Sequence, residues 1–338
     1  MTMTASSFAA IDERLDSLVS LDLGGRGVEQ LYAAARERQG SPLVGAAADA
    51  LAAIPEKANV FVTTGSVSRA WISPTIGEND GPAGLAAVVR ALSLAKKALC
   101  ITFVEETLIP TTSAILTSAG LTVLPYEQAK IARDDGSLAV VCVEPFPLDE
   151  ASARDVSNSL IEKYQPALFF STERVGRNVD GIYCSMRGID YGMGRARIDF
   201  LFDEAIKRKV PTVAVGDGGN EIGMGVVSEA VQKYVKFGDK RPDGSAGIGA
   251  VTGTDVLVTA ACSNWGCYAI AGAFAARMGK ATLAHNPVLE AALLRRGVDV
   301  GLINSVANVI DGNVDGIPEA THLAVVQLIS TIIAPAFK

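Results

Sequence analysis

Continuous apolar runs alternate with helical periods along most of the chain. Runs without polar alternation are typical of parallel strands that helices cover on both faces. Six such runs occupy residues 59–64, 98–104, 139–143, 167–171, 212–216 and 255–260. Helical periods occupy residues 82–97, 111–119, 151–164, 198–209 and 264–278. This order predicts an α/β fold, with a doubly wound, mainly parallel sheet in a three-layer αβα arrangement.

Three amphipathic periods precede the first strand, at residues 8–21, 28–39 and 42–54. They predict an N-terminal helical lead-in, residues 1–54, packed on a main α/β domain of residues 55–338. At roughly 150 residues per domain, 338 residues allow one large domain or two smaller ones. The chain lacks a long linker and an internal repeat, which favours one α/β unit.

Charge and hydropathy exclude some partners. Lys and Arg total 30 against 37 Asp and Glu, for a net charge of −7, so a basic nucleic-acid surface is not expected. The mean hydropathy is +0.28. However, the longest apolar stretch, residues 323–337, contains Gln327, Ser330 and Thr331 and is shorter than the roughly 18 to 20 residues of a membrane span. No membrane partner is therefore expected, although this stretch could also form the face of a homo-oligomer.

Cysteine and histidine usage indicates the compartment and the chemistry. The five cysteines form no CxxC pair, which favours reduced thiols, and the N-terminus shows no secretory pattern. We therefore expect a cytoplasmic protein. The chain has two histidines, His285 and His322, so acid–base chemistry is expected to depend on carboxylates.

Glycine-rich and acidic segments follow the predicted strands, where open parallel sheets bind ligands. The segment GDGGNEIGMG, residues 216–225, contains five glycines, whose backbone N–H groups could surround an anion. It matches neither a dinucleotide fingerprint nor a P-loop. The alternative is an ordinary tight turn between a strand and a helix.

Five carboxylates are expected near this edge of the sheet. They are Glu78, Asp80, Glu173, Asp217 and Glu221. The carboxylates of such a cluster would raise each other's pKa or demand a cation, either a substrate ammonium or a divalent metal such as Mg²⁺ or Mn²⁺. An amino-acid substrate would place its ammonium there and its carboxylate on Arg174 or a helix N-terminus. The structural alternatives are helix capping by Asp80 and a salt bridge between Glu173 and Arg177.

Four motifs together resemble one known family. They are GDGGNEIGMG, SNWG followed by CYA, ENDGPAG, and ER-x-GR-x-x-DG-x-Y at residues 173–183. In these the chain resembles the C-terminal domain of the D-glutamate cyclase family, from about residue 54 to 337, as a stand-alone form without the N-terminal domain of larger animal members. The resemblance implies a hydro-lyase that converts D-glutamate to 5-oxo-D-proline and water. No organic cofactor is expected.

Candidate roles follow from the chemistry of cyclisation. Asp217 or Glu221 would be the base at the ammonium, with the other protonated or metal-bound, and Glu173 would be a further catalytic carboxylate. The backbone amides of Gly218 and Gly219 would hold an oxyanion. The other candidate substrate-binding residues are Arg174, Asn220, Ser263, Asn264, Trp265, Thr64, Gly65, Asp80 and Gly81. The candidate metal ligands are Glu78, Asp217 and Glu221.

Other functions would use the same residues. A related lactam hydrolase or amino-acid epimerase needs the same carboxylates. A weaker alternative is a racemase in which Cys262 and Cys267 are the bases. A non-catalytic phosphate or nucleotide sensor would use the glycine-rich segment alone.

Overall fold

The computed structural model describes residues 5–338, with side chains from residue 7 onward. Residues 1–4 of the predicted lead-in lie outside the described residues. The strands are β1 (Asn59–Thr63), β2 (Leu99–Val104), β3 (Thr122–Val123), β4 (Val140–Pro145), β5 (Phe169–Thr172), β6 (Thr212–Gly216) and β7 (Val256–Thr259). The helices are α1 (Ala5–Val19), α2 (Val28–Gln39), α3 (Leu43–Ala52), α4 (Pro82–Lys96), α5 (Ile109–Ser118), α6 (Tyr126–Asp135), α7 (Glu150–Tyr164), α8 (Ile198–Lys207), α9 (Ser228–Tyr234), α10 (Ser263–Arg277), α11 (Pro287–Asp299) and α12 (Glu319–Ile333).

The seven strands form one parallel sheet in the order β3-β4-β2-β1-β5-β6-β7. The chain builds the sheet outward from β1 through β2, and then returns to add β5 on the other side of β1. This arrangement confirms the predicted doubly wound α/β fold. Because the order reverses between β1 and β5, a crevice is expected where the carboxyl ends of these strands meet.

Helix α10 is the centre of one helical layer. Its residues from Ser263 to Ala276 are all buried, since helices α1, α3, α4 and α12 and strands β5, β6 and β7 all contact it. A helix that is apolar all round requires such complete cover. Elsewhere in the fold, α6 contacts β2 and β4, α8 contacts β6, and α7 packs against α8.

The lead-in helices share the core of the sheet. One contiguous cluster of buried apolar residues runs from Ile11 in α1 to Ile333 in α12, and α2 and α3 pack against β7. The division into residues 1–54 and 55–338 stays a prediction.

The apolar C-terminal segment is longer than the sequence pattern indicated. With the turn that follows α12, residues 319–337 are long and apolar enough, by length and composition alone, to cross a membrane. One such helix is weak support for a membrane protein, because core helices satisfy the same criterion. In this fold Val325, Val326, Ile329 and Ile333 are buried, and α12 packs against α10 and α11.

Candidate active site

The acidic residues predicted from the sequence meet at the carboxyl ends of β1, β5 and β6. Thr64 and Gly65 follow β1, Glu173 follows β5, and Asp217 follows β6. Ser263 begins α10 beside them, and its hydroxyl donates to Glu173 Oε2 at 2.5 Å. The site therefore lies at the switch point of the sheet, where the topology places a crevice.

Two helices begin at the site, and each is capped by a residue of the other. The Asp80 carboxylate, just before α4, accepts the N–H groups of Ser263 (3.1 Å) and Asn264 (3.0 Å) at the start of α10. In return, Asn264 Oδ1 accepts the N–H groups of Gly81 (3.0 Å) and Gly84 (2.7 Å) at the start of α4. Asp80 and Asn264 thus satisfy backbone donors that a helix N-terminus leaves unpaired.

Gly81 is required by this close approach. Its φ is +96°, and a Cβ there would lie 2.6 Å from Thr64 Oγ1 and 2.8 Å from Glu173 Cβ. A larger residue would push apart the turns that follow β1 and β5. Gly65 is similarly close to Asp80, since a Cβ there would lie 2.8 Å from the Asp80 carbonyl oxygen. Both glycines therefore bring the site together.

The GDGGNEIGMG segment does surround an anion, and that anion is Glu221 of the segment itself. The carboxylate of Glu221 accepts the N–H groups of Asp217 (3.0 Å), Gly218 (2.7 Å) and Gly219 (2.7 Å). The predicted oxyanion hole at Gly218 and Gly219 is therefore already filled, and Glu221 is held as a loop anchor. Asn220 likewise points away, because its Nδ2 donates to the Cys184 carbonyl oxygen at 2.7 Å.

Two overlapping triads of carboxylates form the centre of the site. Oxygen atoms of Asp80, Asp217 and Asp315 lie within 4.8 Å of one another, and so do those of Glu173, Asp217 and Glu221. Asp80, Asp217 and Glu221 are each only 2 % exposed. We call these five residues the acidic cluster; sequence reasoning found four of them and missed Asp315.

Burial and mutual repulsion hold protons in the acidic cluster. Burial, followed by the charge of Asp217, raises the pKa of Glu173 well above its ordinary value. Burial also raises the pKa of Asp217 well above its ordinary value, although Arg26 opposes the shift, and raises the pKa of Asp80 to about 7. The backbone of Glu173 has a φ of +52°, a strained conformation that is often found at functional sites. Asp80, whose pKa is about 7, can thus hold or release a proton near neutral pH.

Arg26 supplies a guanidinium to the acidic cluster. Its Nη2 donates to Asp217 Oδ2 at 2.8 Å and to the Ala261 carbonyl oxygen at 2.7 Å, and its Nη1 donates to Asp315 Oδ2 at 2.8 Å. The loop that carries Arg26 is folded over the Asp22 carboxylate. Sequence reasoning missed Arg26 because it belongs to the lead-in; the signal was the GGRG segment, residues 24–27, between two predicted helices.

Arg174, predicted to bind the substrate carboxylate, is instead part of the buried core. Its Nη2 and Nη1 donate to the two carboxylate oxygens of Glu105 at 2.7 and 3.0 Å, and its side chain is 0 % exposed. It is therefore not available to a ligand in this structure. Arg177 is also engaged, with Asp199 and Asp203, so the Glu173–Arg177 pair considered from the sequence does not form.

Two other predicted residues lie beside the acidic cluster. Glu78 accepts the Ser66 N–H at 3.2 Å next to a small cavity, and burial raises its pKa to about 7. The predicted metal set of Glu78, Asp217 and Glu221 is therefore not the set that the structure brings together. Trp265 is 1 % exposed and donates its indole N–H to His322, so it lies behind the cluster and does not form an open wall.

Cys262, just before α10, and Cys267, within α10, are buried and contact other side chains of the protein. The Cys262 Sγ lies 3.3 Å from Asp80 Oδ1, and the Cys267 Sγ lies 3.3 Å from Thr172 Oγ1. Burial raises the pKa of both thiols well above the ordinary value, which disfavours the thiolate that a cysteine base requires.

Comparison with known proteins identifies the family. Residues 15–330 match the family model described as D-glutamate cyclase-like, C-terminal, and this range includes most of the lead-in. The chain is 28 % identical over 260 residues to human mitochondrial D-glutamate cyclase. That alignment covers 76 % of this chain and 37 % of the human protein, so the chain spans little more than a third of the relative's length. The chain belongs to the D-glutamate cyclase-like family, in the part that the family model describes as C-terminal.

Proposed function

We propose that this protein is a lyase that cyclises D-glutamate to 5-oxo-D-proline. The α-amino nitrogen attacks the γ-carboxyl carbon, a C–N bond forms, and a C–O bond of that carboxyl group breaks. Two protons leave the nitrogen, and the departing oxygen takes up two protons to form water. The observation that carries the proposal is the acidic cluster at the switch point of the sheet, in which Asp217 and Asp315 pair with Arg26.

Asp217 and Glu173 have the arrangement that the two proton transfers need. Asp217, with its raised pKa, is a stronger base than an ordinary carboxylate and takes a proton from the substrate ammonium. Burial and the charges of neighbouring carboxylates raise the pKa of Glu173, so Glu173 carries a proton for the leaving oxygen. The Ser263 hydroxyl orients the Glu173 carboxyl group. Glu221 supports both by fixing the loop that carries Asp217.

Arg26 takes the role that the sequence assigned to Arg174. A guanidinium is suited to hold a carboxylate, and the side chain of Arg26 is 27 % exposed whereas that of Arg174 is fully buried. Asp217 is only 2 % exposed and its carboxylate is already paired with Arg26. The substrate can therefore reach Asp217 only by displacing the Arg26 guanidinium from it. The substrate ammonium then replaces the guanidinium at Asp217, and Arg26 binds the α-carboxylate.

A divalent cation is the alternative partner of the same carboxylates. The oxygen atoms of Asp80, Asp217 and Asp315 form a donor set of the kind that Mg²⁺ and Mn²⁺ prefer. Such an ion would polarise the γ-carboxyl group when bound. The two arrangements differ in one measurable property, since only the second is inactivated by removal of metal.

The test uses metal-free and metal-loaded protein with D-glutamate, L-glutamate and the two enantiomers of 5-oxoproline. Products are separated by chiral chromatography. We expect 5-oxo-D-proline from D-glutamate alone. Activity on lactams other than 5-oxo-D-proline, without activity on D-glutamate, would favour a related lactam hydrolase, and the absence of turnover with all four compounds would contradict the proposal.

A further inference from the structure

Asp315 reaches the acidic cluster from the tip of a two-residue turn. The turn is closed by paired backbone hydrogen bonds, from Val314 N–H to Ile317 O at 3.1 Å and from Ile317 N–H to Val314 O at 2.8 Å. The two central residues, Asp315 and Gly316, have φ values of +54° and +75°. Positive φ at both positions is the requirement of a type I′ turn, which is costly for a residue other than glycine, asparagine or aspartate. Asp315 therefore depends on this turn for its position beside Arg26.

The buried side chain of His322 closes the base of the same turn. Its Nε2 lies 3.3 Å from the Val314 carbonyl oxygen and 3.3 Å from the Ile317 carbonyl oxygen. These are the two carbonyl groups that pair across the turn. His322 is 0 % exposed and belongs to α12, so the helical layer is in direct contact with the turn that carries Asp315.

The hydrogen bond from Trp265 fixes the tautomer of His322 that can donate to these carbonyl oxygens. The indole N–H of Trp265 lies 2.8 Å from His322 Nδ1, and an indole nitrogen can only donate. Nδ1 must therefore accept, which leaves the imidazole proton on Nε2, where it is shared between the two carbonyl oxygens. Trp265 also lies within one helical turn of Ser263, whose hydroxyl donates a hydrogen bond to Glu173. Helix α10 therefore contacts Glu173 through Ser263 and the Asp315 turn indirectly, through Trp265 and His322.

We propose that His322, oriented by Trp265, is a positioning residue that holds the Asp315 turn in the geometry that places Arg26 for the substrate carboxylate. The part of this inference that concerns substrate rests on the proposed function. The part that concerns the turn is independent of it. Both histidines of the chain are buried, but it is His322 that contacts the carbonyl oxygens of the Asp315 turn.

His285 provides a matched control. It is 2 % exposed, stacks on Tyr268 with ring centroids 4.3 Å apart, and shares a 2.8 Å hydrogen bond with Glu290. The contacts that the structure gives for it do not include the Asp315 turn. Replacement of either histidine removes a buried aromatic side chain and a buried hydrogen bond, so a general loss of packing should affect the two variants alike.

The kinetic test compares His322→Leu, His322→Gln and His285→Leu. We expect His322→Leu to lower kcat/KM for D-glutamate roughly 10- to 100-fold through a higher KM, because a small displacement of a binding group has effects of this size. Glutamine can donate to the carbonyl oxygens and accept from Trp265, so His322→Gln should recover most of the loss. Unchanged KM in folded His322→Leu, or an equal change in His285→Leu, would overturn the proposal.

A second test needs no activity and separates this inference from the proposed function. Thermal unfolding is measured for His322→Gln, Trp265→Phe and Asp315→Asn, for each double variant with Asp315→Asn, and for His285→Gln with and without Asp315→Asn. We expect the midpoint shifts of His322 and Trp265 variants to be non-additive with Asp315→Asn, and those of His285 to be additive. Additivity in all three pairs would overturn the proposal even if the wild-type protein cyclises D-glutamate. If coupling is found in a protein that does not turn over glutamate, the proposed function fails and the positioning of Asp315 stands.

Discussion

Two arginines at the same edge of the sheet contact carboxylates in opposite ways. Arg174 and Glu105 form a bidentate pair with side chains 0 and 1 % exposed, and Glu105 also accepts the Ala196 N–H at 3.0 Å. Arg26 contacts Asp217 and Asp315 with a side chain 27 % exposed, among five carboxylates that it cannot balance. The first region is electrically matched, whereas the second has a surplus of negative charge.

The difference separates a structural ion pair from a site. In a buried pair whose charges match, each charge is neutralised by its partner, so the pair has little net charge left to attract a ligand. A buried surplus of carboxylates raises the pKa of its own members and becomes favourable only with protons or a further cation. The unbalanced region is therefore the one in which binding of a cationic group would be most favourable.

The largest expected effect is on turnover in the unbalanced region. Glu173→Gln keeps the shape of the side chain but cannot donate the proton that the leaving oxygen needs, so kcat should fall by roughly 10² to 10⁴. The matched control is Glu106→Gln, an exposed carboxylate near the same edge of the sheet, which should leave kcat unchanged. Steady-state kinetics with D-glutamate measure both variants. Wild-type kcat in Glu173→Gln would remove Glu173 from the mechanism.

The next largest effect is on the stability that the Arg174–Glu105 pair contributes. Arg174→Met leaves the Glu105 carboxylate buried without its partner, which typically costs about 3 to 5 kcal/mol of unfolding free energy. Replacing both residues, as Arg174→Met with Glu105→Leu, should recover part of that loss. Urea unfolding monitored by circular dichroism measures it. A loss below about 1 kcal/mol in the single variant would mean that the Arg174–Glu105 pair contributes no more to stability than a surface ion pair.

A smaller effect is expected on substrate binding. Arg26→Gln removes a charge-assisted hydrogen bond to the α-carboxylate, which is worth about 1.5 to 3 kcal/mol, so KM should rise roughly 10- to 100-fold with less change in kcat. Arg208→Gln is the control, because Arg208 pairs with Glu162 and Glu204 away from the acidic cluster. An unchanged KM in Arg26→Gln would show that another group binds the carboxylate.

The last effect is a pH dependence of stability, which is small over any one pH unit. Glu78 has a pKa of about 7 in the folded protein against 4.5 ordinarily, chiefly because it is buried. Between pH 4.5 and 7 the folded state therefore holds this proton more tightly than the unfolded chain. The unfolding free energy falls as pH rises through that window, by at most about 1.4 kcal/mol per pH unit. Glu78→Gln should flatten the fall, as measured by urea unfolding at several pH values, and an unchanged slope would contradict the burial of an ionisable Glu78.

The sequence predicted the architecture well because its signals are local. Six of the seven strands and the main helices of the α/β region follow from continuous apolar runs and helical periods. The strand that was missed, β3, has only two residues, Thr122 and Val123, too few to show a pattern. The lead-in was predicted as helical, but nothing in its periodicity indicates that its loop supplies Arg26 to a site almost 200 residues further along the chain.

The sequence predicted which residues meet at the site more successfully than it predicted the role of each residue. Glycines and carboxylates after strands indicated where Asp80, Glu173 and Asp217 would meet. They could not show that Glu221 fills the ring of backbone N–H groups itself, since that depends on the conformation of three successive residues. Nor could they show that Arg174 faces Glu105, which lies 69 residues away and reaches it through the pairing of separate strands.

The most direct test of the acidic cluster is the rate at which D-glutamate becomes 5-oxo-D-proline in the wild-type protein and in Asp217→Asn, measured side by side by chiral chromatography. Circular dichroism confirms that both proteins are folded. Asp217 belongs to both carboxylate triads and contacts Arg26, so its loss should leave the fold intact and reduce product formation by at least roughly a hundredfold. Equal rates of product formation in the two proteins would contradict the account.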